Sequence, residues 1–370
     1  MRAAIISLGS VSSKLIAKEM ETYFDEVEIL DIRHIEISVG TGATGILFQG
    51  TPIKEFDCVF IRGSFKYATI QRAIASLLKG KCYMPFSPDV FSIVHDKLLT
   101  HLDLERANIP MPKTYLSSSA KAAKELLKIL PYPIIMKIPN GTQGKGVMFA
   151  DSFAAATSIL DTLDTLKQPF LIQEFIETNG EDIRVIVVGD KVVACMKRKS
   201  SSEDKRSNLH ADGKGEQVIP SPEIKKVAIQ TAKALGAEIC GVDILEGIRK
   251  PLVIEANLSP GLQGITSVTG INVASSIAQY LYDQTSCFVE ELKKKDHVTK
   301  LLSEEGIRQA EPKQKDSLQS VESKQNIITS LDFRGERVLL PKIVSKSSHF
   351  VEDVDYMIEF QEGRVEIKKL

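Results

Sequence analysis

The sequence predicts an α/β protein of two or three lobes, and three observations carry that prediction. From residue 1 to 88 short apolar runs alternate with helix-spaced segments, the pattern of a parallel sheet. From residue 169 onward, apolar runs separated by tight glycine turns imply antiparallel hairpins instead. A chain of 370 residues that is 43% apolar holds a real core, and more than one domain of the usual ~100–200 residues.

Taken in order, residues 3–7 read as a buried strand, 14–24 as a helix, 27–30 as a second strand and 57–61 as a third, with a helix over 70–78. Gly9-Ser10 follows the first strand, but no third glycine stands at the dinucleotide spacing, which excludes a nicotinamide site. Arg62-Gly63 ends the third strand, where open α/β sheets bind ligands; it either faces a site or makes a structural turn. The spacing then predicts one helix over 92–107 carrying Asp96-Lys97, broken by prolines at 110 and 112, and an extended segment ending at Leu116. Serines 117–119 cap a helix over 120–130.

Residues 132–138 form a strand with Lys137 inside an apolar run, and a buried lysine demands an anionic partner. Gly141, Thr142, Gln143, Gly144 and Gly146 follow directly. Such a loop either closes its N–H groups over an anion or is a plain hairpin connection; it lacks the Lys-Ser or Lys-Thr of a P-loop. A strand over 169–176 carries Gln173, Glu174, Phe175 and Ile176. A hairpin joins 182–189 to 191–198 and bears Asp182, Arg184 and Arg198. The polar stretch 199–215, with Arg206, Asn208 and His210, either meets anions or is a solvated linker. Helices are expected over 222–235 and 272–282.

Between the last two helices lies the most informative stretch. Two short strands flank the turn 246–250; Asp243 interrupts the first, Glu255 and Asn257 the second. With a period of two, Glu255 and Asn257 share a face, and a hairpin lets Asp243 point the same way. Two carboxylates and an amide oxygen suit Mg²⁺ or Mn²⁺, especially with substrate phosphates completing the shell. A solvated strand face carries the same residues equally well.

The net charge of −1 gives no bias toward nucleic acid or membrane. Five scattered cysteines without a CxxC pair imply reduced thiols. No apolar run approaches the ~20 residues of a membrane span, and no signal-peptide plan opens the chain, so a soluble, cytoplasmic protein is expected. Residues 286–325 read as a charged linker with an early helical part, and 326–370 recover strand patterning over too few residues to bury a core alone.

Ile135-Met-Lys137, Gly141 to Val147, Gln173 to Ile176, Asp182-Ile-Arg184, Arg206 to His210, Gly241-Val-Asp243 and Glu255 to Gly261 together resemble the ATP-grasp ligases of the RimK type. That group includes ligases that add glutamate to ribosomal protein S6, relatives that add it to tetrahydromethanopterin or coenzyme F420, and a lysine/arginine-biosynthesis branch. The resemblance spans residues 1–285. It implies a pre-ATP-grasp domain (1–88), a small lobe (89–176) and a large lobe (177–285). It implies that Lys97 and Lys137 bind ATP phosphates under the loop of Gly141, Thr142, Gln143, Gly144 and Gly146, and that Gln173, Glu174, Phe175 and Ile176, with Asp182, serve the nucleotide. Asp243, Glu255 and Asn257 would hold two Mg²⁺ or Mn²⁺ ions, and Arg184, Arg198, Arg206 and Asn208 would gather the substrate carboxylate and the acyl phosphate. The implied activity is ADP-forming amide synthesis, with L-glutamate and a protein or cofactor acceptor as partners. The residues name no base; His210 is either that base or a spectator.

The tail, with Gly335 to Pro341, Glu352-Asp353 and a hairpin from Gly363, resembles an AbrB-like swapped hairpin. That implies a homo-oligomer, a dimer or a tetramer. The tail's acidic residues offset its basic ones, so dimerisation or acceptor docking is expected before nucleic acid. A second functional expectation, from a different class, is a nucleotide-sensing core that regulates this tail.

Overall fold

The computed structural model describes residues 1–40, 44–117, 119–139, 146–199, 214–247 and 250–304, and four strands within 332–369. The chain divides into two compact units, Met1–Ile307 and Arg308–Leu370.

The first unit opens with β1 (Arg2–Ser7), α1 (Val11–Met20) and β2 (Glu26–Asp31). Then come three short strands, β3 (Ile35–Ser38), β4 (Gly45–Phe48) and β5 (Thr51–Pro52), and β6 (Cys58–Ile61). Strands β2-β1-β6 form the expected parallel sheet. Ala3, Ala4, Ile5 and Ile6 are fully buried, as central parallel strands require. The antiparallel sheet β3-β4-β5 answers to no sequence expectation.

Helix α2 (Ala68–Leu78) leads to α3 (Val90–Val94) and α4 (Lys97–Arg106). The single helix expected over 92–107 is therefore two. Asp96 takes extended backbone angles, and its carboxylate accepts from the amides of Leu98 and Leu99, which starts a new helix instead of continuing the old one.

The small lobe follows with β7 (Thr114–Leu116), α5 (Ala120–Leu127), β8 (Ile134–Lys137), β9 (Val147–Ala150), α6 (Phe153–Thr165) and β10 (Leu171–Glu174). Its sheet runs β7-β10-β8-β9, antiparallel throughout. Ala123 and Leu127 from α5 and Ala156, Leu160 and Leu163 from α6 pack on Ile134, Met136 and Ile172 as a core of its own. The loop joining β8 to β9 carries Gly141, Thr142, Gln143 and Gly144, which lie outside the described residues. Gly146 closes it at φ +82, and its carbonyl accepts from the Ile138 amide at 3.0 Å.

The large lobe contains β11 (Glu181–Val188), β12 (Lys191–Lys199), β13 (Lys214–Gln217), α7 (Pro222–Ala234), β14 (Ile239–Glu246) and β15 (Pro251–Asn257), then α8 (Gln263–Thr269) and α9 (Val273–Glu304). Five antiparallel strands pair in the order β13-β12-β11-β14-β15. The closing helix expected over 272–282 runs on to Glu304. A single apolar core joins this lobe to the N-terminal sheet, with Ile5, Phe60, Ile186, Val242 and Ile277 all buried in it.

In the second unit β16 (Asp332–Arg334) pairs with β17 (Arg337–Leu339), and β18 (Tyr356–Gln361) with β19 (Arg364–Lys369). Pro341, Glu352 and Asp353 of the AbrB-like stretch lie outside the described residues. Among the described residues no helix is long and apolar enough to cross a membrane. All five cysteines are unpaired, four of them buried and Cys287 exposed.

Leu160 is fully buried in the small lobe's separate core. Leu160→Ala is expected to cost about 2–5 kcal/mol, read as a lower urea midpoint.

Candidate active site

Direct cross-strand partners in an antiparallel ladder point to one face. On β14 and β15, Asp243 stands opposite Glu255 and Gly241 opposite Asn257. On β11 and β14, Arg184 stands opposite Asp243; on β11 and β12, Asp182 stands opposite Arg198. Six residues far apart in sequence therefore share one sheet face, and the register permits no other arrangement without exposing the apolar face. Gly241 has no side chain because a Cβ there would come within 2.9 Å of the Pro260 ring.

The charges on that face are largely consumed by each other. Arg184 donates Nε and Nη2 to the two oxygens of Asp243 at 2.8 and 2.7 Å. Arg198 grips Asp182 in the same forked way at 2.6 and 2.7 Å and reaches Asp243 at 3.1 Å. Burial pushes the Asp243 carboxyl up, but Arg184 and Arg198 outweigh it and hold it at about 2. Burial lifts Asp182 to about 6 against the pull of Arg198. Nη1 of each guanidinium takes no part in these bonds.

Glu255 differs. Burial, and next the charge of Asp243, push its carboxyl above the ordinary range. An anion held under that pressure fits a cation in the site. Among the described residues no cluster of three or more His, Cys, Asp or Glu side chains stands ready to hold a metal. Two carboxylates and the Asn257 amide match the hard, oxygen-only donor set that Mg²⁺ completes with substrate phosphates.

The small lobe brings cations. Lys137 is buried, and burial lowers it to about 8 while Glu255 pulls it up. Its Nζ donates to the Gln173 side-chain oxygen at 2.6 Å. The Gln173 amide nitrogen meets His101 Nε2 at 3.2 Å and donates to Thr114 at 2.7 Å. Lys97 donates to the Pro139 carbonyl at 3.2 Å, just ahead of the glycine loop.

Two cavities meet here. One, of about 590 Å³, is lined by Lys97, His101, Arg184, Arg198, Asp243 and Glu255 among others, with Gly63–Phe65 and the 257–261 segment along another wall. The other, of about 860 Å³, is lined by Leu98, Leu102, Met111, Glu174, Phe175, Ile176 and Leu252. Phe175 is held edge-on by Phe149, ring centroids 5.2 Å apart. A flat apolar group fits the second cavity and a polyanion the first. Arg62 does not face either: it is turned inward, bonded to Ser13 at 3.2 Å and the Pro260 carbonyl at 2.9 Å. With Gly63 on Ser259 and Leu262 on Ser12, it ties the segment after β15 to the N-terminal sheet.

Lys97, Arg184, Arg198, Asp243, Glu255 and Asn257 are thus brought to one cavity, and Glu174, Phe175 and Ile176 to the neighbouring one. Lys137 and Gln173 are buried outside both linings, linked to them through His101. Asp182 sits beneath Arg198 and not in either lining. Arg206, Asn208 and His210 lie outside the described residues. Sequence reasoning missed His101, Thr114, Ser64 and Phe65, whereas Gly63, singled out with Arg62 as either site-facing or a structural turn, does line the first cavity. Only the i+4 spacing of His101 from Lys97 offered a signal.

The family profile of the RimK-like ATP-grasp domain matches residues 94–281. A probable alpha-L-glutamate ligase of Xanthomonas campestris pv. campestris is 35% identical over 286 residues, covering 76% of this chain and 98% of that protein. The RimK domain ATP-grasp protein of Sphaerobacter thermophilus superposes with a TM-score of 0.59 at 19% identity, over 76% of this chain and 99% of that one. The ATP-grasp ligase PsnB, solved with a precursor variant, Mg and ADP, superposes at 0.61 and 17% identity, over 77% and 98%. At such identities the likeness to the solved structures is one of fold.

Asp182→Ala strips Arg198 of its forked partner in a buried setting. The expected loss is about 3 kcal/mol of stability, measured by chemical denaturation; a loss below about 1 kcal/mol, the range of exposed pairs, would place the pair in solvent-screened surroundings.

Proposed function

The chain belongs to the RimK-like ATP-grasp family of ligases, and from that membership we propose that it is an ADP-forming carboxylate–amine ligase that adds L-glutamate to a protein or small-cofactor acceptor. One observation supports this above the rest: the paired charges of β11, β12, β14 and β15 and Lys97 converge on one cavity beside an apolar slot. The similarity to probable alpha-L-glutamate ligases supports glutamate as the amino acid. On this reading the lobes follow 1–88, 89–176 and 177–285.

The reaction has two steps. A substrate carboxylate oxygen attacks the γ-phosphorus of ATP, forming an acyl phosphate as the bond to ADP breaks. An amine then attacks the acyl carbon, inorganic phosphate leaves, and the amine gives up a proton as the amide forms. Such chemistry asks the protein for in-line positioning and charge neutralisation more than for covalent help. The Phe175–Ile176 slot takes the adenine, with Leu98, Leu102 and Leu252 excluding water. Lys97 and Lys137 meet the phosphates. Nη1 of Arg184 and of Arg198 offer donors to the carboxylate and the transferring phosphoryl group. Asp243, Glu255 and Asn257 would hold Mg²⁺ or Mn²⁺, two ions on the family pattern, which supply charge neutralisation between the phosphates. Because Asp243 is clasped by two arginines, Glu255 and Asn257 carry the more available donors.

The test is mass gain. With ATP, Mg²⁺, single amino acids and a cell extract, an acceptor gains one glutamyl residue and ADP appears in step. Glu255→Ala lowers this turnover by about 100-fold or more while thermal unfolding stays near wild type; unchanged turnover overturns the metal assignment. A pH profile checks Lys137. Its charge is present below about 8 and lost as the pH rises through that value. Accordingly kcat/KM for ATP falls on the alkaline side in the wild type, and Lys137→Arg, whatever its absolute rate, lacks that limb.

A further inference from the structure

His101 lines both cavities, and the hydrogen bonds around it have only one possible direction. The Lys97 carbonyl can only accept, so Nδ1 of His101 carries the proton in the bond between them. A neutral ring then presents Nε2 as an acceptor, and the group facing it is the Gln173 amide nitrogen. The same nitrogen donates to Thr114 Oγ1, whose own hydrogen goes to the Pro112 carbonyl at 3.0 Å. This fixes the Gln173 amide and turns its oxygen to Lys137, the one hydrogen-bond acceptor of that buried ammonium among the described residues.

We propose that neutral His101 is a positioning residue that acts through Gln173 to hold the Lys137 ammonium where it meets nucleotide phosphates, so that protonating His101 switches nucleotide binding off on the acid side. The proposal rests on the reading of Lys137 as a phosphate-binding residue. A proton on Nε2 sets two donors face to face. If the Gln173 amide turns over to accept from the ring, it presents its NH₂ to Lys137, and the clash is moved instead of removed. In either case a buried donor loses its acceptor.

The surroundings keep the ring neutral near pH 7. Burial lowers its pKa below the ordinary 6.5, the Lys97 carbonyl opposes, and the charges of Lys137 on β8 and Lys97 on α4 press downward again. Thr114 on β7 and Gln173 on β10 are uncharged, and Glu255 on β15 acts on the two lysines. Because the folded ring favours its neutral form, the network is intact above the lowered pKa and is lost as the pH falls through it.

The experiment measures the Kd of a non-hydrolysable ATP analogue with Mg²⁺ between about pH 8 and about pH 5.5 for the wild type, His101→Gln and His101→Leu. Glutamine keeps an acceptor toward Gln173 and does not titrate. Titration of the analogue itself is common to all three proteins. The wild type is expected to lose affinity by a further factor approaching about tenfold for each pH unit below the His101 pKa, relative to His101→Gln, while His101→Leu binds weakly at both ends. An equal pH ratio in wild type and His101→Gln overturns the proposal. Binding by none of the three at any pH overturns the nucleotide reading of the cavity instead. Should the variants fail to fold, ¹⁵N spectra of the wild-type ring decide: the Nδ1–H neutral tautomer supports the proposal, and the Nε2–H tautomer overturns it.

Discussion

Asp243 cannot remain a buried anion without Arg184 and Arg198, and the rest of the site depends on that clasp. Removing a carboxylate from water costs far more than one ordinary hydrogen bond returns, so the charge survives only with forked, close partners. Those partners sit on β11 and β12, and Asp243 sits on β14. The three strands must therefore keep one register, because a slip by one residue would turn the arginines into the core. The irregularity between Asp243 and Ile244 falls where the ladder passes from the site to the ordinary hairpin beyond it.

The clasp also decides what its neighbour does. With the arginines committed to Asp243 and Asp182, Glu255 receives little compensation, and burial beside a second carboxylate raises its pKa. Lys137 is under the opposite pressure, with burial working against its positive charge and Glu255 near enough to oppose that. The site sets an under-compensated anion close to an under-compensated cation. A metal–polyphosphate pair would relieve both, and the two groups belong to lobes with separate cores. Among the described residues Lys137 donates to the uncharged Gln173, so its orientation there is set by hydrogen-bond direction and not by a salt bridge.

Much of this was legible in the chain. A lysine within the apolar run of β8 announced a buried cation, and alternation placed Glu255 and Asn257 on one face before any coordinates. The parallel order of β1, β2 and β6 followed from helices between apolar strands. Other features were not legible. The break at His95–Asp96 depends on whether an aspartate caps a new helix or rides on an old one, and apolar spacing is the same in both. The sheet β3-β4-β5 is too short and too mixed for a period to emerge. Arg62 at a strand end stood as either a ligand-facing residue or part of a structural turn, and its bonds to Ser13 and the Pro260 carbonyl make it an internal tie.

By itself the sequence determined the fold class, the strand that carries Lys137, and the shared face of Glu255 and Asn257, because periodicity and residue chemistry are local properties. It also carried enough motifs, in order, to place the chain in its family. Tertiary structure decided which charges pair. Arg184 and Asp243 are separated by 58 intervening positions in the chain and meet only because β11 lies beside β14. It decided that Asp182 is a support beneath Arg198, and that His101 lines two cavities with its ring nitrogens facing a carbonyl and an amide. Pairing and hydrogen-bond direction are relations between distant segments, and no local pattern encodes them.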